Sequence, residues 1–302
     1  MNKIKFSIII PHKNIPHLLK RCLNSIPERK DIEIIVIDDN SDSQIVDFNN
    51  LPCYNRNNIK YILTKEGKGA GYARNIGLQH ANGKWIMFAD ADDFYDEKAW
   101  DKFDEFIQED SLDIIYFSVR CVKSSDLSPF DRKLNNNIAI EKYLKDNNSI
   151  TLRYTCWEPW NKIFKHEFIT KHNIKFEEII RGNDAMFVLT AGHLANKIAA
   201  HTDKLYIVTY RENSISYSPK KDNKLSSLYL KIRINKFYKK IGRKELQLSP
   251  LYDVKEAYTL FGLKEAIKYI NILIKEKSDI IYFIITDISG FIRLLKKGLW
   301  NH

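Results

Sequence analysis

Hydrophobic positions in the first 120 residues fall into short runs separated by stretches of helical spacing. Phe6-Ser7-Ile8-Ile9-Ile10 is an apolar run ended by Pro11, and Leu18, Leu19, Cys22, Leu23 and Ile26 follow at helix-like intervals. Ile32–Ile37 is a β-branched run stopped by Asp38-Asp39-Asn40-Ser41-Asp42, and Ile59–Leu63 is a third run. Residues 70–81 read as a helix with Ala73, Ile76 and Gly77 on one side, closed by Asn82-Gly83. Trp85–Phe88 is a fourth strand. A helix through Phe103, Phe106 and Ile107 leads to a fifth at Asp113–Val119. Strands interleaved with helices predict right-handed βαβ units and an α/β fold with a mostly parallel central sheet. Near-continuous apolar strands fit a sheet covered on both faces.

From 120 to 220 the pattern is mixed. Asn135-Asn136-Asn137 reads as an exposed loop, Trp157–Phe164 as an aromatic irregular stretch, Asp184–Leu194 as a helix and Lys204–Tyr210 as a strand. From about residue 223 the chain reads as helical and basic. Residues 221–302 hold 17 Lys and Arg against 8 Asp and Glu, whereas residues 1–220 hold 31 against 30. The net charge of +10 therefore belongs to the C-terminal part, where it suits an anionic surface or substrate. The four cysteines have no metal or redox spacing and read as reduced thiols of a cytosolic protein. The first residues lack a signal-peptide pattern, and no apolar stretch of membrane-spanning length is seen.

Candidate chemistry gathers at strand ends. In a parallel sheet ligands bind beyond the carboxyl ends of the strands. Those ends here are Pro11-His12-Lys13, Asp38-Asp39, Lys65-Glu66-Gly67 and Asp90-Ala91-Asp92-Asp93. Clustered carboxylates are hard oxygen ligands suited to Mg²⁺ or Mn²⁺ bound with substrate phosphates. The other reading is an acidic turn capping the next helix through Asp93 or Asp96. Gly67-Lys68-Gly69-Ala70-Gly71 opens the helix carrying Arg74, an arrangement favourable to anions. His12, His17 and His193 show no ligand spacing, and surface or packing roles are expected. Trp157 and Trp160 would either offer a flat apolar face to a ligand ring or fill a packing role.

This order of features resembles the family 2 glycosyltransferases of the GT-A fold. The resemblance is carried by Ser7-Ile8-Ile9-Ile10-Pro11, Val36-Ile37-Asp38-Asp39-Asn40-Ser41-Asp42, Gly69–Leu78 and Gly83–Asp93. It continues more loosely through Trp160–Phe164 and Gly182–Phe187 to Tyr210–Ser216, and no comparable match is seen over 225–302. It implies a GT-A Rossmann-like domain over 1–220, with a nucleotide-sugar-binding half (1–120) and an acceptor half (121–220). Residues 221–302 would be a basic helical C-terminal extension.

What the resemblance implies at the site is specific. Backbone near Pro11 and the side chain of Asp39 would hold the nucleotide, usually uridine, and Arg74 would lie near the donor. Asp92 would ligate Mn²⁺ or Mg²⁺ at the diphosphate, while Asp90 contacts the sugar nucleotide. Asp93, Trp160 and Asn183 are assigned to the acceptor side, with Asp93 alternatively tying down the loop. Asp184 would be the general base. Family members commonly carry Glu-Asp where this chain has Asn183-Asp184.

The function so implied is metal-dependent, inverting transfer from a UDP-hexose or UDP-N-acetylhexosamine to a saccharide or lipid-linked acceptor. The product would belong to surface polysaccharide or lipooligosaccharide synthesis. A sugar nucleotidyltransferase or a HAD-like phosphatase is the alternative. A nucleic-acid partner is not expected, since it leaves the acidic edge unexplained. The apolar, basic-flanked stretch 280–297 is a candidate for peripheral contact with the inner face of the cytoplasmic membrane. Packing on its own domain or within a homo-oligomer is the competing reading.

Overall fold

The computed structural model describes residues 3–211 and 221–287. The chain divides into two compact units, Met1–Ser214 and Ile215–His302.

The first unit opens with β1 (Phe6–His12), α1 (Pro16–Asn24), β2 (Ile32–Asp39), β3 (Ile59–Thr64), α2 (Ala70–His80), β4 (Trp85–Phe88) and the two-residue β5 (Phe94–Tyr95). It continues with α3 (Ala99–Phe106), β6 (Ile114–Lys123), α4 (Asn135–Asp146), α5 (Ile150–Thr155), β7 (Lys162–Lys165), α6 (His166–Lys171), α7 (Ala185–Leu194) and β8 (Ile198–Tyr210). One sheet of order β3-β2-β1-β4-β7-β6-β8-β5 joins them. β3, β2, β1 and β4 run parallel to one another and β6 parallel to β8, whereas β7 is antiparallel to both β4 and β6, and β5 to β8. The sheet is thus parallel where the sequence reads most clearly and mixed beyond it.

Alternation along the strands builds a core on each face. Ile8 and Ile10 of β1 pack with Leu19 and Leu23 of α1 and with Trp100 and Phe103 of α3. Ile9, between them, faces Ala73 of α2, Phe168 of α6 and Phe187 of α7. Burying a side chain of this size contributes about 1.5–3 kcal/mol, so a strand with no polar face is held between two helical layers. β1 lies between β2 and β4, and the chain order reverses there. Such a switch point opens a crevice at the strands' carboxyl ends.

Two local expectations change. Asn135-Asn136-Asn137 is not a loop but the first turn of α4. Asn136 is buried, and Asn137 replaces a strand partner for Val119, accepting its N–H at 2.9 Å and donating to its carbonyl at 2.8 Å. The N-cap residue of α3 is Lys98, with no side-chain cap of its own; Asp93 does not reach it, whereas Asp96, just ahead, accepts the Lys98 N–H on its carboxylate at 3.1 Å.

The second unit contains α8 (Lys221–Lys240), α9 (Leu251–Phe261) and α10 (Leu263–Lys275). Its core joins Leu228 and Ile232 of α8, Ala257 of α9, and Tyr269 and Leu273 of α10. Among the described residues no helix is long and apolar enough to cross a membrane. Residues 288–297 of the candidate membrane stretch lie outside the described residues, as do 212–216 of the Tyr210–Ser216 match.

Candidate active site

The carboxyl ends of β1 and β2 are joined by a buried polar network. His12 and Asp38 are register partners, and His12 Nδ1 lies 2.7 Å from Asp38 Oδ2 with both side chains buried. His12 Nε2 accepts the Ile15 N–H at 3.3 Å, which assigns the ring proton to Nδ1. Asp38 also accepts from the Ser41 N–H (2.8 Å) and hydroxyl (2.6 Å). Burial pushes the Asp38 carboxyl upward, but the bonds from His12 and Ser41 outweigh it and hold the group below its ordinary value. The loops after both strands are thereby fixed.

Asp39 sits one residue further along β2. Its Oδ2 accepts the Gly69 N–H at 2.8 Å and lies 3.9 Å from Lys13 Nζ. Its Oδ1 is buried and has no hydrogen-bond partner among the described residues. An unsatisfied buried acceptor costs about 1–3 kcal/mol, so this oxygen is a ready acceptor for a ligand hydroxyl or N–H. Pro11 stands beside it in the ladder, opposite Ile37.

The glycine loop positions α2 by close approach. Gly69 has a φ of 91°, a conformation that L side chains rarely adopt. A Cβ on Gly71 would lie 2.1 Å from the Glu177 carbonyl oxygen, so only glycine lets the helix start press against residues 177–183. Asn75 locks the same contact, accepting the Phe176 N–H at 2.9 Å and donating to its carbonyl at 3.0 Å.

Arg74, buried on α2, forks across the site. Its Nη2 donates to Asp90 Oδ1 at 2.7 Å and its Nη1 to Asn183 Oδ1 at 2.9 Å. This one side chain ties the acidic turn after β4 to the Asn183-Asp184 pair ahead of α7. Asn183 in turn donates to the Ile179 carbonyl at 3.2 Å. Asn183 is a neutral amide, so Asp90 is the carboxylate paired directly with this guanidinium.

The acidic turn is braced by β8. The Asp90 N–H donates to the Tyr206 hydroxyl at 2.9 Å, and the Asp93 N–H to the Asp90 carbonyl at 3.0 Å. Asp93 is buried and accepts from the Thr209 N–H at 2.7 Å and from Tyr206. Burial, then the neighbouring Asp92 and Asp90, push its carboxyl well above the usual range. Asp92 is half-buried and pairs with Arg211, the residue after β8; burial and Asp90 raise its carboxyl while Arg211 opposes the rise. Trp160 stacks on Tyr206, rings 8° from parallel with centroids 5.4 Å apart.

Asp184 is the N-cap residue of α7, yet its carboxylate makes no capping bond. Burial raises its pKa, Asp90 adds to the rise, and Arg74 opposes it. Lys162 of β7 is fully buried, donates to Asn161 Oδ1 at 2.7 Å and to the Glu158 carbonyl, and is lowered to about 8 by burial. Sequence reading placed His12 and Asp38 at strand ends, with only a surface or packing role expected for His12, and assigned nothing to Lys162. Only strand register reveals the first two as a pair, and only burial marks the third.

Hard carboxylate oxygens at the lip are a suitable donor set for Mg²⁺ or Mn²⁺. Asp90 and Asp92 each give one oxygen to an arginine, and no side chain among the described residues takes the other. No group of three or more metal-ligating side chains stands together among the described residues. Asp90 and Asp92 could therefore supply part of the donor set of a divalent ion, each with one carboxylate oxygen.

Comparison with known proteins gives the family and the fold. The family model described as Glycosyl transferase family 2 matches residues 7–171. The uncharacterized glycosyltransferase EpsJ of Bacillus subtilis is 27% identical over 236 residues, covering 74% of this chain and 67% of that protein. The poly(ribitol-phosphate) beta-N-acetylglucosaminyltransferase TarS of Staphylococcus aureus is 28% identical over 211 residues, 67% of this chain but 35% of that protein. The chain thus spans about two thirds of the first relative and about a third of the second. The crystal structure of S. aureus TarS 1-349 in complex with UDP-GlcNAc superposes with a TM-score of 0.63 at 21% identity, over 90% of this chain and 80% of that one, and shares its fold. The chain belongs to glycosyl transferase family 2 and is a glycosyltransferase.

Proposed function

We propose that this enzyme transfers a sugar, with inversion, from a UDP-hexose or UDP-N-acetylhexosamine to a saccharide or lipid-linked saccharide acceptor, in the synthesis of a surface polysaccharide or lipooligosaccharide. One observation carries the reading: the Arg74 fork, which joins the D-x-D turn at Asp90 to Asn183, next to Asp184, more than ninety residues away. Family membership favours transfer over the phosphatase and nucleotidyltransferase readings.

The residues divide the work. Asp39, with its unsatisfied oxygen, and the Pro11 backbone receive the nucleoside. Asp90 orients the sugar nucleotide, and Arg74 holds Asp90 while adding positive charge near the leaving diphosphate. A divalent ion held by Asp92, with Asp90 beside it, would supply Lewis-acid charge to the diphosphate, typically worth several kcal/mol. Asp184, free of a capping bond, accepts the proton of the attacking hydroxyl, a contribution of about 10²–10⁴-fold. Attack from the face opposite the leaving group gives a β-linked product from an α-linked donor. The beta-N-acetylglucosaminyl product in the name of the S. aureus relative is of that kind. Trp160 offers a flat face to the acceptor, and Asp93 keeps the turn in place.

Donor screening of the full chain with Mn²⁺ tests the reading. Sugar transfer, with a β-anomeric coupling in the product, is expected for wild type, and Asp92→Ala and Asp184→Ala should abolish it without unfolding. Undiminished transfer by Asp184→Ala would remove that residue as the base.

A further inference from the structure

Helix α10 carries an apolar stripe that its own unit does not use. Ala266, Tyr269 and Leu273 face the core of α8 and α9. Leu263, Ile267, Ile270 and Ile274, at intervals of four, three and four, occupy a separate narrow face, each 41–64% exposed. Immediately beside that face run Lys264, Lys268, Asn271 and Lys275. The helical turn after α10 adds exposed Ile281, Ile284 and Ile285.

The acids of this unit are mostly spoken for. Asp253 pairs with Lys231, Glu256 with Lys224, Glu265 with Lys268 and Lys221, Glu276 with Lys236 and Asp279 with Lys239. No carboxylate pairs with Lys264 or Lys275 among the described residues. Lys268 is thus offset by Glu265, and Lys264 and Lys275 leave the charge beside the stripe net positive.

We propose that this face of α10 lies on an anionic phospholipid surface, with the four aliphatic side chains in the headgroup–acyl boundary and the lysine row against lipid phosphates. At 13 residues the helix is about 20 Å long, too short to span an apolar layer of about 30 Å. An apolar stripe with a basic flank is the pattern of helices that lie in the interface. Charge selects this occupant over a second copy of the chain, because two such faces would bring like-charged lysine rows together. The inference is independent of the donor and the chemistry at the sheet edge.

Vesicle flotation of the full chain tests it. Wild type should float with phosphatidylcholine–phosphatidylglycerol vesicles, fail to float with phosphatidylcholine alone, and be released by high salt. Lys264→Glu with Lys275→Glu should weaken binding by at least about fivefold per lysine. Ile267→Asp with Ile274→Asp should abolish it. Both pairs are exposed, so circular dichroism and melting should match wild type. Equal flotation on neutral vesicles, no flotation at all, or unchanged flotation of the isoleucine pair would overturn the proposal. So would a lipid-independent dimer, seen by light scattering, that the isoleucine substitutions dissolve.

Discussion

At the scale of single residues, the site is a set of carboxylates whose surroundings have separated their roles. Asp184 is raised by burial, so its charged form is the less favoured one in the fold. The acid limb of kcat/KM should therefore fall above about 3.9, the ordinary aspartate value, with activity lost as pH drops through it. Asp184→Asn should remove that limb and lower kcat by about 10²–10⁴-fold. The folded state binds this proton more tightly than the unfolded chain does, so ionisation costs stability as pH rises. Asp184→Asn should accordingly melt no lower than wild type at neutral pH.

Arg211 makes a second prediction, since it pairs with the carboxylate that would meet the ion. Without nucleotide, Arg211→Ala should bind Mn²⁺ about two- to fivefold more tightly by calorimetry, the scale of a part-exposed ion pair. Unchanged affinity would assign the arginine to structure alone. Asp39, Asp90 and Asp92 were legible because acids directly after apolar runs are conspicuous in a sequence. His12 and Asp38 were not legible as a pair: they are 26 positions apart, and only the β1–β2 register sets them side by side.

At the scale of elements, the first four strands were readable because each is a compact β-branched or aromatic run, almost wholly buried in β1, β2 and β4 and partly exposed at the β3 edge. The mixed half was readable only in part: the strand expected at Asp113–Val119 is β6, the helix at Asp184–Leu194 is α7, and the strand at Lys204–Tyr210 is the second half of β8, whereas β7 and β5 were not read. β7 begins with Lys162, a charged residue that is fully buried, and β5 has only two residues. β8 starts at Ile198, ahead of its apolar run, through His201, Thr202 and Asp203. α4 hid behind three asparagines because one of them serves as a strand partner. The element that ties the parts of the site together is α2, through Arg74, and its start has no slack. Gly71→Ala should cost about 1–3 kcal/mol and lower nucleotide affinity by displacing Arg74. Melting and titration of the same variant check both. A fully stable Gly71→Ala protein would mean that residues 177–183 yield easily.

At the scale of the molecule, charge and chemistry are divided between the two units. The acidic edge belongs to the first, and the lysine-flanked stripe of α10 to the second. The composition of the tail announced the basic charge, but its periodicity did not reveal which face of which helix remains open, because that depends on how α8, α9 and α10 pack. The central claim is that the edge at β1, β2 and β4 receives a uridine diphosphate compound together with a divalent ion. Its most direct test is the melting temperature of the full chain with UDP and UDP-sugars, with and without Mn²⁺. A ligand at a hundredfold excess over its Kd stabilises by about 2.7 kcal/mol, or about 5–10 °C at about 2–4 °C per kcal/mol for domains of this size. The account predicts such a shift with UDP compounds and Mn²⁺ together, and its loss in Asp39→Ala and Asp92→Ala. No shift with any UDP compound in the presence of Mn²⁺ would contradict it.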